Sequence, residues 1–135
     1  MRERPLILVA DDEADILLIT ATRLSASGYD VITAADGSEA EAMLRTHAPD
    51  LVLLDLRMPG MDGYELCRRA KADARLRGIP IIVFSASSTY GSDIRNTCLE
   101  LGAFGYIRKP YAADALLAEI RRALANAAAG QGAST

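Results

Sequence analysis

Short, nearly unbroken apolar runs alternate with helical patterns along the whole chain, and this alternation limits the possible folds most strongly. The runs that begin at Leu6, Leu51 and Ile81 are rich in leucine, isoleucine and valine. Strands of this kind are buried on both faces, as in parallel sheets that helices cover on either side. The sequence therefore predicts an α/β fold of five βα units, a doubly wound parallel five-stranded sheet with right-handed crossovers.

Hydrophobic periodicity and helix-ending residues indicate where the elements lie. Gly28 and Gly102 each follow a predicted helix, where a left-handed cap is expected. The predicted strands cover residues 5–10, 30–34, 50–54, 79–84 and 104–107, and the predicted helices cover residues 13–27, 37–47, 62–73, 91–102 and 112–126. We expect residues 1–126 to form one domain and residues 127–135 to form a disordered tail.

Composition and charge exclude several classes of function. Fifteen basic and eighteen acidic residues give a net charge of −3. A nucleic-acid-binding domain would instead be expected to carry an excess of basic residues. The apolar runs are too short to span a bilayer, and the run after the charged N-terminus breaks at Asp11, unlike a signal peptide. We therefore expect a cytoplasmic protein that binds neither nucleic acid nor membrane.

Four of the apolar runs end on side chains that can take part in phosphate or metal chemistry. The first ends at Asp11 and Asp12, the third at Asp55, the fourth at Ser85 and the fifth near Lys109. Parallel strands end along one edge of a sheet, and ligands bind at that edge in open α/β folds. The three acids, the hydroxyl and the amine are therefore expected to share one pocket.

This set of side chains suits phosphoryl transfer assisted by a metal ion. An all-oxygen cluster without histidine or cysteine favours magnesium. Asp55, central among the strand ends, is the best nucleophile for an acyl phosphate, with Lys109 and Ser85 stabilising the phosphoryl oxygens. Neither GxxxxGK[ST] nor GxGxxG occurs, so the phosphoryl group is expected to come from outside. Taken singly, Asp11 and Asp12 also fit a helix cap, and Lys109 a surface lysine.

The motifs resemble those of the receiver domain of two-component response regulators, the CheY-like domains. The resemblance covers about residues 5–125, and it implies the flavodoxin/CheY-like strand order 2-1-3-4-5. Its carriers are Asp11-Asp12, the segment Asp55-Leu56-Arg57-Met58-Pro59-Gly60-Met61-Asp62-Gly63, the pair Ser85-Ala86, and the segment Tyr106-Ile107-Arg108-Lys109-Pro110-Tyr111.

The resemblance also implies roles for individual residues. Asp55 would accept phosphate from a phosphohistidine on a sensor histidine kinase or a histidine phosphotransfer protein. Asp12, Asp55 and the main-chain carbonyl of Arg57 would bind Mg²⁺, with Asp11 acting mainly through water. Arg57 and Ser87 occupy positions that tune phosphate lifetime in the family, so that lifetime stays open.

The resemblance implies a switch as well as a phosphate acceptor. Ser85 and Tyr106 would be the switch pair, and a cis peptide would join Lys109 to Pro110. Their movement would reshape the surface of the fourth predicted helix, the fifth strand and the fifth helix, which a downstream target protein would read. No effector region follows the fifth helix, so a stand-alone, monomeric response regulator is expected.

Two other classes of function compete with this one. A magnesium-dependent phosphohydrolase of the haloacid-dehalogenase kind also uses an aspartyl nucleophile, but it carries Asp-x-Asp where this chain has Asp55-Leu56-Arg57. A phosphate-independent interaction domain would keep the fold alone. We therefore expect a phosphoacceptor signalling domain, not an enzyme that turns over an external substrate.

Overall fold

The computed structural model describes residues 3–58, 61–85, 99–109 and 111–133. Its five parallel strands form one sheet in the order β2-β1-β3-β4-β5. The strands are β1 (Leu6–Ala10), β2 (Asp30–Ala34), β3 (Leu51–Leu54), β4 (Ile81–Ser85) and β5 (Gly105–Arg108). The α/β fold predicted from the alternating runs is confirmed, and so is the strand order that the resemblance implied.

The helices begin within two residues of their predicted starts. They are α1 (Ala14–Ala26), α2 (Gly37–His47), α3 (Gly63–Ala72) and a C-terminal helix (Ala113–Ala133). Most of the predicted helix 91–102 lies outside the described residues. Within the described part of the chain, no helix is both long and apolar enough to cross a bilayer.

The core lies in two layers, one on each face of the sheet, because alternate strand residues point to opposite faces. One layer, beside α2 and α3, includes Leu8, Val52, Leu54, Val83, Leu44 and Leu66. The other layer, beside α1 and the C-terminal helix, includes Val9, Leu53, Phe84, Leu24, Leu116 and Ile120. Because helices cover both faces, the carboxyl edge of the sheet stays open for polar side chains.

The C-terminal helix is longer than the sequence predicted. We expected it to end at residue 126, with residues 127–135 as a disordered tail, but it continues to Ala133. Alanine has the highest helix propensity, and the stretch beyond Asn126 is alanine-rich. Gly130 and Gly132 each cost only about 1 kcal/mol in a helix, which does not force an end. The helix end at residue 126 was therefore wrong, while the domain boundary there stays a prediction.

Left-handed residues follow three of the helical segments. Gly28 has φ of 100° and Gly102 has φ of 95°, so both predicted caps are confirmed. Ala48, after α2, also has a positive φ of 44°. An alanine in this conformation is strained, because its Cβ approaches the following carbonyl oxygen.

We expect Ala48→Gly to raise the free energy of unfolding by roughly 0.5–1 kcal/mol, because glycine adopts the left-handed conformation without strain. Ala42, exposed in the interior of the same helix, offers a matched control. Ala42→Gly should lower the free energy of unfolding by about 1 kcal/mol. Urea denaturation measures both, and equal losses in the two variants would contradict the assignment of strain to Ala48.

Candidate functional site

The pairing of β1 with β3 brings two acids together. Ala10 lies opposite Leu54 in the parallel register, so the next residues, Asp11 and Asp55, leave the sheet side by side. The backbone N–H of Asp55 donates a hydrogen bond to the carbonyl of Ala10 at 2.9 Å. Asp11 is 0% exposed and Asp55 is 4% exposed. Two carboxyl groups are therefore buried at the carboxyl edge of the sheet.

Asp12 completes an acidic cluster at the rim of this edge. One carboxylate oxygen from each of Asp11, Asp12 and Asp55 lies within 4.8 Å of the others. Asp12 is exposed, in contrast to the other two acids. The cluster offers oxygen donors alone, and such a donor set fits a hard divalent cation. Asp11 also accepts a hydrogen bond from the N–H of Glu13 at 3.0 Å, so it helps to begin α1 as well.

Lys109 brings a positive charge to the two buried acids. Its Nζ donates a hydrogen bond to Oδ2 of Asp11 and lies 3.5 Å from Oδ2 of Asp55. The Lys109 side chain is itself only 8% exposed. The structure thus brings together four of the residues predicted to share the pocket, namely Asp11, Asp12, Asp55 and Lys109.

The pKa values reflect the burial of these groups first and the charges of their neighbours second. Burial raises the pKa of Asp55 to about 6; a hydrogen bond from the N–H of Arg57 opposes this, and the charge of Asp11 adds to it. Burial would lower the pKa of Lys109, but its hydrogen bond to Asp11 and the charge of Asp55 outweigh burial and raise it. The lysine is therefore a cation, and the pair of acids exceeds its charge.

The segment after β3 packs closely against the starts of α2 and α3. A Cβ on Gly63 would lie 2.7 Å from the carbonyl oxygen of Asp55, and a Cβ on Gly37 would lie 1.9 Å from that of Met61. Only glycine permits these approaches. In the same segment, the N–H of Arg57 donates to Oδ1 of Asp55 at 3.2 Å. The close packing therefore restrains the segment that carries Arg57.

The predicted switch residues are described in part. Ser85 ends β4 at the same edge of the sheet, paired with Arg108, and its side chain lies outside what the structure describes. Tyr106 pairs with Val83, is half-buried, and packs against the core layer beside α2 and α3. The predicted cis bond to Pro110, like the position of Ser87, falls outside the described residues.

Three residues near Lys109 were not among the predicted site residues. The Lys109 Nζ lies 4.7 Å from the ring centroid of Phe84, which the sequence indicated only as part of a buried strand. Tyr111 meets Phe84 edge to face, and its hydroxyl lies 2.6 Å from Oγ1 of Thr20. Thr20 is fully buried on α1. The signals available in the sequence were the position of Tyr111 within the segment that follows the fifth strand, and a polar residue, Thr20, in the first predicted helix.

Sequence comparison identifies the family. The model of the response regulator receiver domain matches residues 7–121. A relative from Porphyridium aerugineum named "Probable transcriptional regulator ycf27" is 48% identical over 118 residues, which are 87% of this chain and 47% of that protein. "Response regulator PleD" of Caulobacter vibrioides is 43% identical over 116 residues, 85% of this chain and 25% of that protein. The chain thus spans less than half the length of these relatives.

Structural comparison agrees with the sequence. A response regulator receiver domain protein (CheY-like) from Methanospirillum hungatei superposes with a TM-score of 0.86 and 29% identity, over 95% of this chain and 99% of that one. The strand order, the acidic cluster and the family match all point to the same class of signalling domain. The chain belongs to the response regulator receiver domain family of two-component signalling.

Proposed function

We propose that the chain accepts a phosphoryl group on Asp55 from a phosphohistidine of a sensor histidine kinase or histidine phosphotransfer protein. One observation carries this proposal. The buried Asp55 carboxylate stands at the end of the central strand, within 4.8 Å of two further carboxylates and 3.5 Å from an ammonium. A nucleophile, a metal-binding group of oxygens and a fixed cation are the parts that phosphoryl transfer needs.

The donor set supports Mg²⁺ as the cation of this site. Asp12, Asp55 and the main-chain carbonyl of Arg57 would hold the ion, with Asp11 acting through water. The hydrogen bond from Lys109 already occupies Oδ2 of Asp11, which favours an indirect role for that acid. Bound magnesium would supply positive charge to the phosphoryl oxygens.

Asp55, Lys109 and Ser85 have separate roles in the proposed transfer. An oxygen of Asp55 attacks phosphorus, an O–P bond forms, and the P–N bond to the donor imidazole breaks with its electrons going to the ring nitrogen. Lys109, already close to Asp55, stabilises the negative phosphoryl oxygens. Ser85, at the neighbouring strand end, would donate a hydrogen bond to a third oxygen. A haloacid-dehalogenase-like phosphohydrolase carries a second aspartate where this chain has Arg57. This difference disfavours turnover of external substrates.

The output we propose is a changed protein-binding surface. Phosphorylation adds a charge of roughly −1.5 to −2 beside Asp11. Ser85 would move toward the new oxygens, and Tyr106 would turn with it. These movements bias an existing two-state equilibrium at the surface that includes β5 and the C-terminal helix. Tyr106 is half-buried on β5, which supports a side chain with room for two positions.

A downstream protein in the cytoplasm is the partner we propose for this surface. The net charge of −3 favours a protein over nucleic acid as the direct contact of this domain. The relatives are longer than this chain, and some are named as transcriptional regulators, so the stand-alone and monomeric state is part of the proposal. Size measurement of the full gene product in solution tests that part.

Labelling with a small phosphodonor tests the acceptor directly. With acetyl phosphate and magnesium, Asp55→Asn should abolish phosphorylation, because the amide cannot form an acyl phosphate. Lys109→Ala should slow it by at least about tenfold, because a fixed cation is lost. Asp36→Asn is the matched control, since Asp36 caps α2 through the N–H of Glu39 and asparagine caps equally well. Labelling of Asp55→Asn at the normal rate would refute the site.

The free energy of unfolding without metal tests whether the buried Asp55 carboxylate destabilises the fold. The pKa of Asp55 is raised from 3.8 to about 6, so the stability present below about pH 4 is lost as pH rises through about 6. Asp55→Asn has no such loss, and at about pH 7.5 in chelator it should be more stable than the wild type by at most about 3 kcal/mol.

The size of this difference should depend on pH and on metal. The gap should shrink at about pH 5, and magnesium should raise the melting temperature of the wild type more than that of Asp55→Asn. Asp36→Asn, with its capping bond outside the cluster, should match the wild type throughout. A metal-free Asp55→Asn protein that is less stable than the wild type at about pH 7.5 would contradict this destabilisation.

A further inference from the structure

The ammonium of Lys109 lies over an aromatic ring as well as between two acids. Its Nζ is 4.7 Å from the centroid of Phe84, whose side chain is fully buried. The negative face of an aromatic ring attracts a cation at this distance, most strongly where water is excluded. Lys109 is thus held by a neutral ring as well as by Asp11 and Asp55.

The ring of Phe84 is itself fixed. The edge-to-face contact with Tyr111 has a centroid distance of 6.4 Å and an interplanar angle of 66°. The Tyr111 hydroxyl is tied to Oγ1 of Thr20 at 2.6 Å, and Thr20 is fully buried on α1. A continuous set of contacts therefore runs from α1 through two rings to the ammonium. Such a ring has little freedom to move when the ammonium does.

We propose that Phe84 is a positioning residue for Lys109, whose ring face keeps the ammonium within reach of a phosphoryl group on Asp55. The inference rests on the proposed function, because it assumes that Lys109 assists phosphoryl transfer. Before transfer, the hydrogen bond to Asp11 draws the ammonium away from Asp55, which lies 3.5 Å from it. The attraction to a ring face has little directionality, so it can go on holding the ammonium after the hydrogen bond to Asp11 is released, when it becomes a larger part of what keeps the ammonium in place.

The other reading of Phe84 is a core residue whose only contribution is its volume. The two readings differ in whether the electrons of the ring matter. Fluorination withdraws charge from the ring face while leaving size and shape nearly unchanged, so it separates them. The chain makes this experiment simple, because it contains only two phenylalanines, Phe84 and Phe104.

The experiment replaces phenylalanine with a series of increasingly fluorinated analogues in a Phe104→Leu background, where position 84 alone is labelled. The rate of phosphorylation by acetyl phosphate is measured at saturating magnesium. We expect the rate to fall stepwise along the series, by about three- to tenfold in all, as the ring loses its attraction for the cation. Magnesium affinity should stay nearly constant, and the melting temperature should fall only by the share that the lost attraction to the ammonium contributes to stability.

The matched control labels the other ring. Phe104 is half-buried and has the guanidinium of Arg122 at 5.7 Å from its centroid, so it is also a ring beside a cation. In a Phe84→Leu background, fluorination at position 104 should leave the rate of phosphorylation unchanged along the series. A decline at position 104 equal to that at position 84 would overturn the inference.

Fluorine resonances give a second measurement that does not depend on rates. On phosphorylation, the signal from position 84 should shift, because the ammonium moves across the ring. A rate that is constant within about twofold along the series at position 84, or an unshifted signal there, overturns the inference and leaves phosphorylation of Asp55 intact. Undiminished labelling of Asp55→Asn instead overturns the proposed function.

Discussion

The burial of two carboxyl groups with a single ammonium is the interaction on which the rest of this structure depends. Asp11 and Asp55 are nearly inaccessible to water, and Lys109 neutralises only one charge between them. Removing a charge from water is costly unless it is paired, and two acids in one place compete for the one partner. The raised pKa of Asp55 expresses this cost. Binding of a proton or of a divalent cation would lower the cost of burying the two acids. The fold therefore holds two buried carboxyl groups with only one ammonium to pair with them.

The sheet order explains why an aromatic ring belongs to this arrangement. Lys109 follows the edge strand β5, whereas its partner Asp11 follows β1, with β4 and β3 between them. The lysine must therefore reach across the ends of two strands. Phe84 is the second-last residue of β4, and its ring lies under the lysine on that path. An aliphatic side chain would fill the same volume without attracting the cation. The position of β4 between the lysine and its acid makes this residue the natural support.

Much of the fold and of the site followed from simple physical patterns. The buried strands ending at Asp11 and Asp55 were predictable because apolar runs have few other solutions, and parallel strands end at one edge. The sequence could not show that Asp11 would be buried and Asp12 exposed, because that depends on which neighbour lies on each side of the strand end. It could not assign Phe84 to the site, because a ring in the core and a ring under a cation have the same local sequence. The end of the C-terminal helix was misplaced because the last residues of a chain are often disordered, whereas the alanine-rich stretch here continues the helix to Ala133.

On the proposed function, the position of Lys109 distinguishes the two states of the domain. In the structure the ammonium contacts Asp11, and that acid also accepts the N–H of Glu13 at the start of α1. When the ammonium turns to a phosphoryl group, Asp11 loses its buried cation and must be compensated by metal or by water. The energy of the phosphorylated state therefore depends on how well the metal replaces the lysine at Asp11. A ligand shifts an equilibrium only by its differential affinity for the two states, and here a few kcal/mol suffice. On this proposal, the competition between Lys109 and the metal ion for Asp11 sets the population of the phosphorylated conformation.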